Sequence, residues 1–185
     1  MNENETNKRH RRTAQIRHTQ QDFVVALNQL LANKPLNKIT VTNIVARAGY
    51  SRRTFYRHFL TLDDILIYQL NELTIELYEL LSKQPSLPFK KVVLLFFEFW
   101  WPYRALLNQL RYNNRLYLLA NSLTNNLSSS LLSKIKKPDT DYLQQFAIGG
   151  MFAMLTHWVQ HGCTKSPKEM SKIAQEIQFH LTTNK

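Results

Sequence analysis

The chain has little that bends or breaks a backbone. Its 185 residues include only 4 Gly and 6 Pro, so long helices meet few interruptions. No alternating apolar and polar run of strand length argues for a sheet. No segment recurs at a fixed period, which excludes a solenoid or a propeller. No apolar run approaches the roughly 18 residues that cross a bilayer, so no membrane partner is expected. The polar stretch Met1–Arg12 has no apolar centre of the kind a secretory signal needs. The single Cys163 excludes an intrachain disulfide and fits a reducing compartment, so the expected location is the cytoplasm. Catalytic signatures are also missing: no Gly-rich phosphate loop, no nucleophile elbow and no HExxH. The expectation is an all-α protein that is not an enzyme and needs no cofactor.

Acidic residues are scarce too. Asp and Glu number 13 against 24 Lys and Arg, a formal charge of +11. The excess is uneven: residues 1–60 carry 11 basic against 3 acidic residues, and residues 61–185 carry 13 against 10. A clustered basic surface neutralises phosphates and releases counterions, which points to a nucleic acid.

What is present organises around Ile39-Thr-Val-Thr-Asn-Ile-Val-Ala-Arg-Ala-Gly-Tyr-Ser-Arg-Arg-Thr-Phe-Tyr-Arg-His-Phe59. Val41, Ile44, Val45 and Ala48 recur at helical spacing. Gly49 follows, where a turn can take positive φ. Ser51 is placed to cap the next helix. Phe55 and Phe59 lie four apart and share one face, which can pack inward. The other face carries Arg52, Arg53, Thr54, Tyr56, Arg57 and His58. Two short helices with a tight turn, the second apolar behind and basic in front, suit a DNA groove.

On these residues the stretch resembles the helix-turn-helix of the TetR/AcrR family of bacterial transcriptional regulators. That pattern runs roughly I-T-V-x-x-I-A-x-x-A-G-V-S-x-x-T-F-Y-x-H-F. Here Val45 stands for a usual Ala and Tyr50 for a usual Val, and Leu62 stands where a phosphate-contacting Lys is common. The resemblance extends to Phe146-x-x-Gly149-Gly150, Trp158-x-x-x-Gly162 and Ser166-Pro-x-Glu169-Met170 near the other end. It implies an N-terminal helix-turn-helix domain over residues 1–60 and a C-terminal helical domain over 61–185, with about nine helices. The C-terminal domain would dimerise and hold any effector.

The resemblance also implies roles. Arg52 and Arg53 would reach base edges, where Arg bonds O6 and N7 of guanine together. Thr54 would meet a base edge or a thymine methyl, and Thr42 a base or a phosphate. Tyr56, His58 and Thr40 would touch phosphates, which position without specifying. Ser51 and Arg57 complete the candidate DNA-binding set. One recognition helix reads few base pairs, so the implied partner is a near-palindromic double-stranded operator bound by a homodimer. The last two helices of each subunit would form the four-helix interface, with Gly149 and Gly150 permitting close approach. Repression by blocking polymerase is the expected outcome.

Along the chain, residues 1–12 read as a mobile polar arm ending in Lys8-Arg-His-Arg-Arg12. That arm is either a solvated tail or a strand of charge along the backbone or in the minor groove. The periodicity predicts a first helix from about Thr13 to Ala32, with Ile16, Phe23, Leu27, Leu30 and Leu31 as its apolar stripe. Pro35 ends it, and Thr40 caps the second helix to about Ala48. The recognition helix covers about Ser51 to Phe59. Thr61-Leu-Asp-Asp64 has the form of a capping box opening a fourth helix to about Ser82. Further helices are predicted over about 89–101, from Pro102 onward, 113–134, 140–161 and 167–181. Lys134-Ile-Lys-Lys-Pro-Asp139 reads as a loop. Gly162 closes the eighth helix, and Ser166-Pro-Lys-Glu169 caps the ninth.

Phe96-Phe-Glu-Phe-Trp-Trp101 is the clearest pointer to an effector. Phe96, Glu98, Phe99, Trp100, Tyr103, Tyr112, Tyr117, Phe152 and Trp158 form the candidate pocket. Aromatic walls around one carboxylate would favour a small lipophilic, flat or cationic ligand. The competing reading, core packing with Glu98 on the wet face, is the stronger one. His157-x-x-x-His161-x-Cys163 has metal-like spacing, but Gly162 ends the helix there and no carboxylate follows nearby, so no metal is expected. The alternative function keeps the helix-turn-helix on DNA and switches it through a protein partner instead of a small molecule.

Overall fold

The computed structural model describes residues 3–84, 87–130 and 140–183. Nine α-helices and no strand occur among the described residues. They are α1 (Glu3–Leu31), α2 (Val41–Ala48), α3 (Arg52–His58), α4 (Leu62–Ser82), α5 (Phe89–Trp100), α6 (Arg104–Tyr112), α7 (Leu116–Ser130), α8 (Thr140–Gln160) and α9 (Pro167–Thr183). Short 3-10 turns at Leu36–Lys38 and Trp101–Tyr103 join α1 to α2 and α5 to α6. The helices gather into two compact units, Met1–Gln69 and Leu70–Lys185, so α4 contributes its first turns to one and the rest to the other. The expected loop at Lys134–Asp139, and the side chains of Leu143, Ala147 and Leu181, lie outside what is described.

In the first unit the expected boundaries hold except at the start. α1 begins at Glu3, ten residues ahead of the predicted Thr13, so the basic arm is helical. No Gly or Pro interrupts the chain from Met1 to Ala32, and Glu5 near the helix start complements the positive end of the helix dipole. The α1 stripe also differs. Phe23 and Leu27 are fully buried and Val24 and Ala26 join them, whereas Leu30 and Leu31 are half-buried and Ile16 is 40 % exposed. Burial along α1 begins at Thr19 and first becomes complete at Phe23.

Phe23 is the centre of this core. Its ring lies 5.2 Å from Tyr50, 5.5 Å from Phe55 and 6.0 Å from Phe59, the two phenylalanines meeting it edge-on. Edge-to-face pairs add about 0.5–1.5 kcal/mol each beyond burial. Ile44 and Val45 of α2, Leu36, Ile39, Ile65 and Leu66 complete the packing. Polar bonds tie α1 to its neighbours: Tyr50 Oη donates to Asp22 Oδ2 at 2.7 Å, and Arg47 Nε donates to Gln29 Oε1. The Asp22 acceptor raises the Tyr50 phenol above its ordinary value.

The helix ends follow the residues that close them. Thr40 and Asn43 form a reciprocal capping box on α2. Thr61 and Asp64 do the same on α4, Thr61 N–H donating to Asp64 Oδ2 at 2.8 Å and Asp64 N–H to Thr61 Oγ1 at 3.2 Å. Gly49 sits at φ 73° after α2. A Cβ there would meet nothing within 4 Å, so the cost of a side chain is backbone strain alone. Gly49→Ala is expected to destabilise the first unit by about 1 kcal/mol, strain of about 1–2 kcal/mol less the entropy gained in the unfolded chain. Chemical denaturation checks it.

In the second unit α5 packs on α9 and α6 on α8, with α7 touching α6 and α8. Val93, Phe96, Phe97 and Trp100 form the buried face of α5. Leu106, Leu107, Leu110, Leu155, Trp158, Val159, Met170 and Ala174 meet them in this core. Trp158 Nε1 donates to Lys165 O at 2.8 Å and holds the loop between α8 and α9. Ser166 and Glu169 form the expected second box, Ser166 N–H donating to Glu169 Oε2 at 2.7 Å. Those bonds from Ser166 hold the Glu169 carboxyl below its ordinary value.

A polar seam that the sequence reading did not identify joins α4 to α7. Ser122 Oγ donates to Asn71 Oδ1 at 2.8 Å and lies 2.9 Å from Thr74 Oγ1, while Asn126 Nδ2 donates to Thr74 Oγ1 at 2.8 Å. Tyr78 Oη donates to Leu123 O at 2.6 Å. Thr74 and Ser122 are buried. A satisfied buried network fixes one register of two helices more strictly than leucines do.

Candidate nucleic-acid interface

α3 displays one face because its other face is locked. Phe55 is fully buried and the C-cap Phe59 is 4 % exposed, while Tyr56 is 54 % exposed and Arg52, Arg53 and Arg57 face solvent. Tyr56 lies over Phe55 edge-on at 5.3 Å, which orients its ring with the hydroxyl outward from the core.

Ser51 caps α3: its Oγ accepts from Thr54 N–H at 3.1 Å and lies 3.0 Å from Thr54 Oγ1. Much of the hydrogen-bonding capacity of both hydroxyls is therefore used within the helix start. Thr40 is likewise engaged as the cap of α2, its Oγ1 accepting from Asn43 N–H at 3.3 Å. Arg52 Nη2 donates to Thr42 Oγ1, so these two candidate contacts are coupled across the turn. Arg53 has no such tether and projects from the first turn of α3 with its guanidinium open.

His58 is half-buried at the end of α3, and its Nε2 is shielded from solvent with no hydrogen-bond partner. Burial, and then the adjacent Arg57 charge, push its imidazole below the ordinary value. Beside it is a recess of about 490 Å3 between α1 and α3, lined by Arg12, Gln15, Ile16, Thr19, Gln20, Arg57 and His58. Sequence reasoning missed this recess. Its signal was the basic arm itself, which becomes a wall only once the arm is helical and carries Arg12 and Gln15 on the same side as Thr19.

Of the candidate effector residues, Phe99, Trp100 and Tyr103 are brought together, with ring centroids 5.4 Å, 5.8 Å and 6.2 Å apart. Phe96, Trp100 and Trp158 are buried, Phe99, Tyr103 and Phe152 are half-buried, and Glu98 faces solvent. Tyr112 and Tyr117 are 71 % and 54 % exposed. Phe97, outside the predicted set, meets Trp158 edge-on at 5.3 Å, and Arg104 stacks 3.5 Å over the Trp101 ring. Two buried polar atoms here lack partners, Trp100 Nε1 and Asn108 Oδ1. The His157 and His161 rings lie 4.1 Å apart on an exposed face, tilted 34° to each other. Cys163 is buried, which pushes its thiol up to about 11 and keeps it protonated.

No helix among the described residues is long and apolar enough to cross a membrane. Residues 24–67 match the family model described as bacterial regulatory proteins, tetR family, and residues 103–180 match one described as a transcriptional regulator C-terminal region of the same family. No curated protein matches the chain. A solved structure, the TetR transcriptional regulator from Streptococcus agalactiae 2603V, superposes with a TM-score of 0.58. The two share 18 % identity over 90 % of this chain and 96 % of that one, a likeness that speaks to the fold alone. With the helix-turn-helix at one end and the regulator region at the other, the chain belongs to the TetR family and is a DNA-binding transcriptional regulator.

Proposed function

We propose that the chain is a cytoplasmic repressor that binds a near-palindromic operator as a homodimer and is released by a small-molecule effector. The observation that carries it is α3, whose apolar back is pinned by Phe55 and Phe59 while Arg52, Arg53, Tyr56 and Arg57 stay exposed. Residues 1–60 act as the DNA-binding domain with the contacts set out above, and residues 61–185 as the dimerisation and effector domain. Two such helices about 34–36 Å apart would read successive major grooves on one side of the duplex.

The dimer reading is supported by apolar surface on α8 and α9. Tyr142 and Phe146 are 80 % and 71 % exposed, Phe179 is 61 % exposed, and both Gly149 and Gly150 face open space. Rows of exposed apolar side chains beside glycines suit a close helix pairing. Gly149→Leu should leave each helix intact, since Leu is the better helix former, and convert the dimer to monomer in sedimentation. A monomeric parent at micromolar concentration would sink this part of the proposal.

The effector reading rests on Trp100 Nε1 and Asn108 Oδ1. A buried unpaired donor or acceptor costs about 1–3 kcal/mol, and a ligand bearing a neutral polar group would supply the missing partners. A ligand releases DNA only by preferring one conformation of the protein. The second reading, a switch operated by a protein partner, is favoured by how fully Phe96, Phe97 and Trp100 pack into the core. Genomic footprinting of the bound protein tests the whole: discrete palindromic sites overlapping promoters are expected, and scattered occupancy without a shared motif would refute it.

A further inference from the structure

The geometry points to a divalent metal site at the end of α8, where His157 and His161 chelate one ion of the Zn2+ class. Gly162 ends the helix without separating the pair. It takes φ 77° only after His161, whose backbone N–H still donates to His157 O at 3.1 Å. The two side chains therefore keep i, i+4 spacing and share one side of the helix. Their rings lie 4.1 Å apart, close enough for two metal–nitrogen bonds of about 2.0–2.1 Å to share one ion. His161 Nδ1 is 2.8 Å from His157 O. A carbonyl only accepts, so Nδ1 carries the proton and Nε2 of the neutral ring keeps its lone pair for a metal. An imidazole whose other N–H is held by a carbonyl is the usual ligating form. Both residues are exposed, so an ion reaches them from solvent. The carbonyl end of α8 favours positive charge, and Arg111 of α6 already donates to Gln160 O there at 3.0 Å. Imidazole suits Zn2+, Ni2+ and Cu2+, whereas Mg2+ and Ca2+ prefer oxygen. Cys163 takes no part, because its thiol is buried.

Tyr142, Phe146, Gly150, Ala153, His157 and His161 recur every three or four residues and are all exposed. The pair thus closes the stripe of α8 on which the dimer is proposed. No third His, Cys, Asp or Glu among the described residues joins it, so a tetrahedral ion keeps two positions open. A second copy seated on the stripe is the source of the missing ligands, and the ion then tightens the dimer. This bridge rests on the dimer reading above, whereas the chelate does not.

Calorimetric titration of the full-length protein with Zn2+ at neutral pH tests the chelate. One ion per chain is expected, its affinity falling by about tenfold to a hundredfold in both His157→Gln and His161→Gln. His18→Gln, which removes a separate His18–Asp22 pair 3.1 Å apart, should bind Zn2+ like the parent. No binding by the parent, or undiminished binding by the two α8 variants, overturns the site. Sedimentation tests the bridge. By linkage the gain in dimer affinity equals the gain in Zn2+ affinity, about tenfold or more for one added ligand. Zn2+ should therefore tighten the parent dimer by that factor and leave His157→Gln unresponsive. An unchanged dimer constant with Zn2+ bound overturns the bridge and leaves the chelate standing. A parent that stays monomeric with and without Zn2+ defeats the dimer reading, and the titration alone then decides the site.

Discussion

Phe23→Ala is expected to cost the first unit about 3–5 kcal/mol, the usual penalty for emptying a buried phenylalanine site. The position predicts the upper part of that range. Phe23 is fully buried and its ring touches three other rings, Tyr50 in the turn between α2 and α3, Phe55 on α3 and Phe59 at its C-cap. Removing it opens a cavity against α3 and releases the residue that holds Phe55 and Phe59 inward. Domain stabilities run to about 5–15 kcal/mol in total, so a loss of this size unfolds the reading head in a measurable fraction of molecules. Amide hydrogen exchange should show protection in α2 and α3 falling by about three orders of magnitude or slightly more, about 1.4 kcal/mol for each tenfold. Phe23→Leu, which keeps most of the volume, should cost less than half as much. Equal losses for the two variants would mean that the ring contacts, not the filled volume, hold the unit together.

The same residue shows what a sequence can and cannot disclose. Phe23, Phe55 and Phe59 are legible as inward-facing because helical spacing assigns a face to each. Caps are legible because they depend on residues three apart: Thr40 with Asn43, Thr61 with Asp64, and Ser166 with Glu169 all act where the pattern puts them. Gly49 and Gly162 take positive φ, as the helix ends require. What fails to show is whatever depends on two distant segments meeting. Asn71, Thr74, Ser122 and Asn126 are unremarkable among leucines until α4 lies against α7. Arg12 reads as a tail residue until α1 extends to Glu3 and lays it across from Arg57. The aromatic segment of α5 fails in the opposite way. Composition suggests a ligand, but spacing alone cannot tell a pocket wall from a core, and Val93, Phe96, Phe97 and Trp100 all point inward.

The DNA-reading residues separate by what already occupies them, and that ordering has a measurable consequence. Arg52 is bonded to Thr42, Ser51 and Thr54 share their hydroxyls with each other and the helix start, and Arg53 stands open on the first turn of α3. A side chain already bonded must give up that bond to reach a base, so its net gain on binding is reduced. Arg53 gives up only water. If it meets guanine through both nitrogens, Arg53→Ala removes about 1–3 kcal/mol of discrimination at that position, a factor of about 5 to 150. Selection of bound duplexes from a random pool should therefore return a motif with one position per half-site degraded for Arg53→Ala. Arg52→Ala should blur its position less, because losing the tether to Thr42 also frees that hydroxyl for DNA. Tyr56→Phe, which removes one hydroxyl on the outer face, should weaken all sequences alike and leave the motif unchanged. Uniform weakening by Arg53→Ala as well would show that this guanidinium meets the backbone, and would move the specificity of the helix-turn-helix onto Arg52 of α3 and Thr42 of α2.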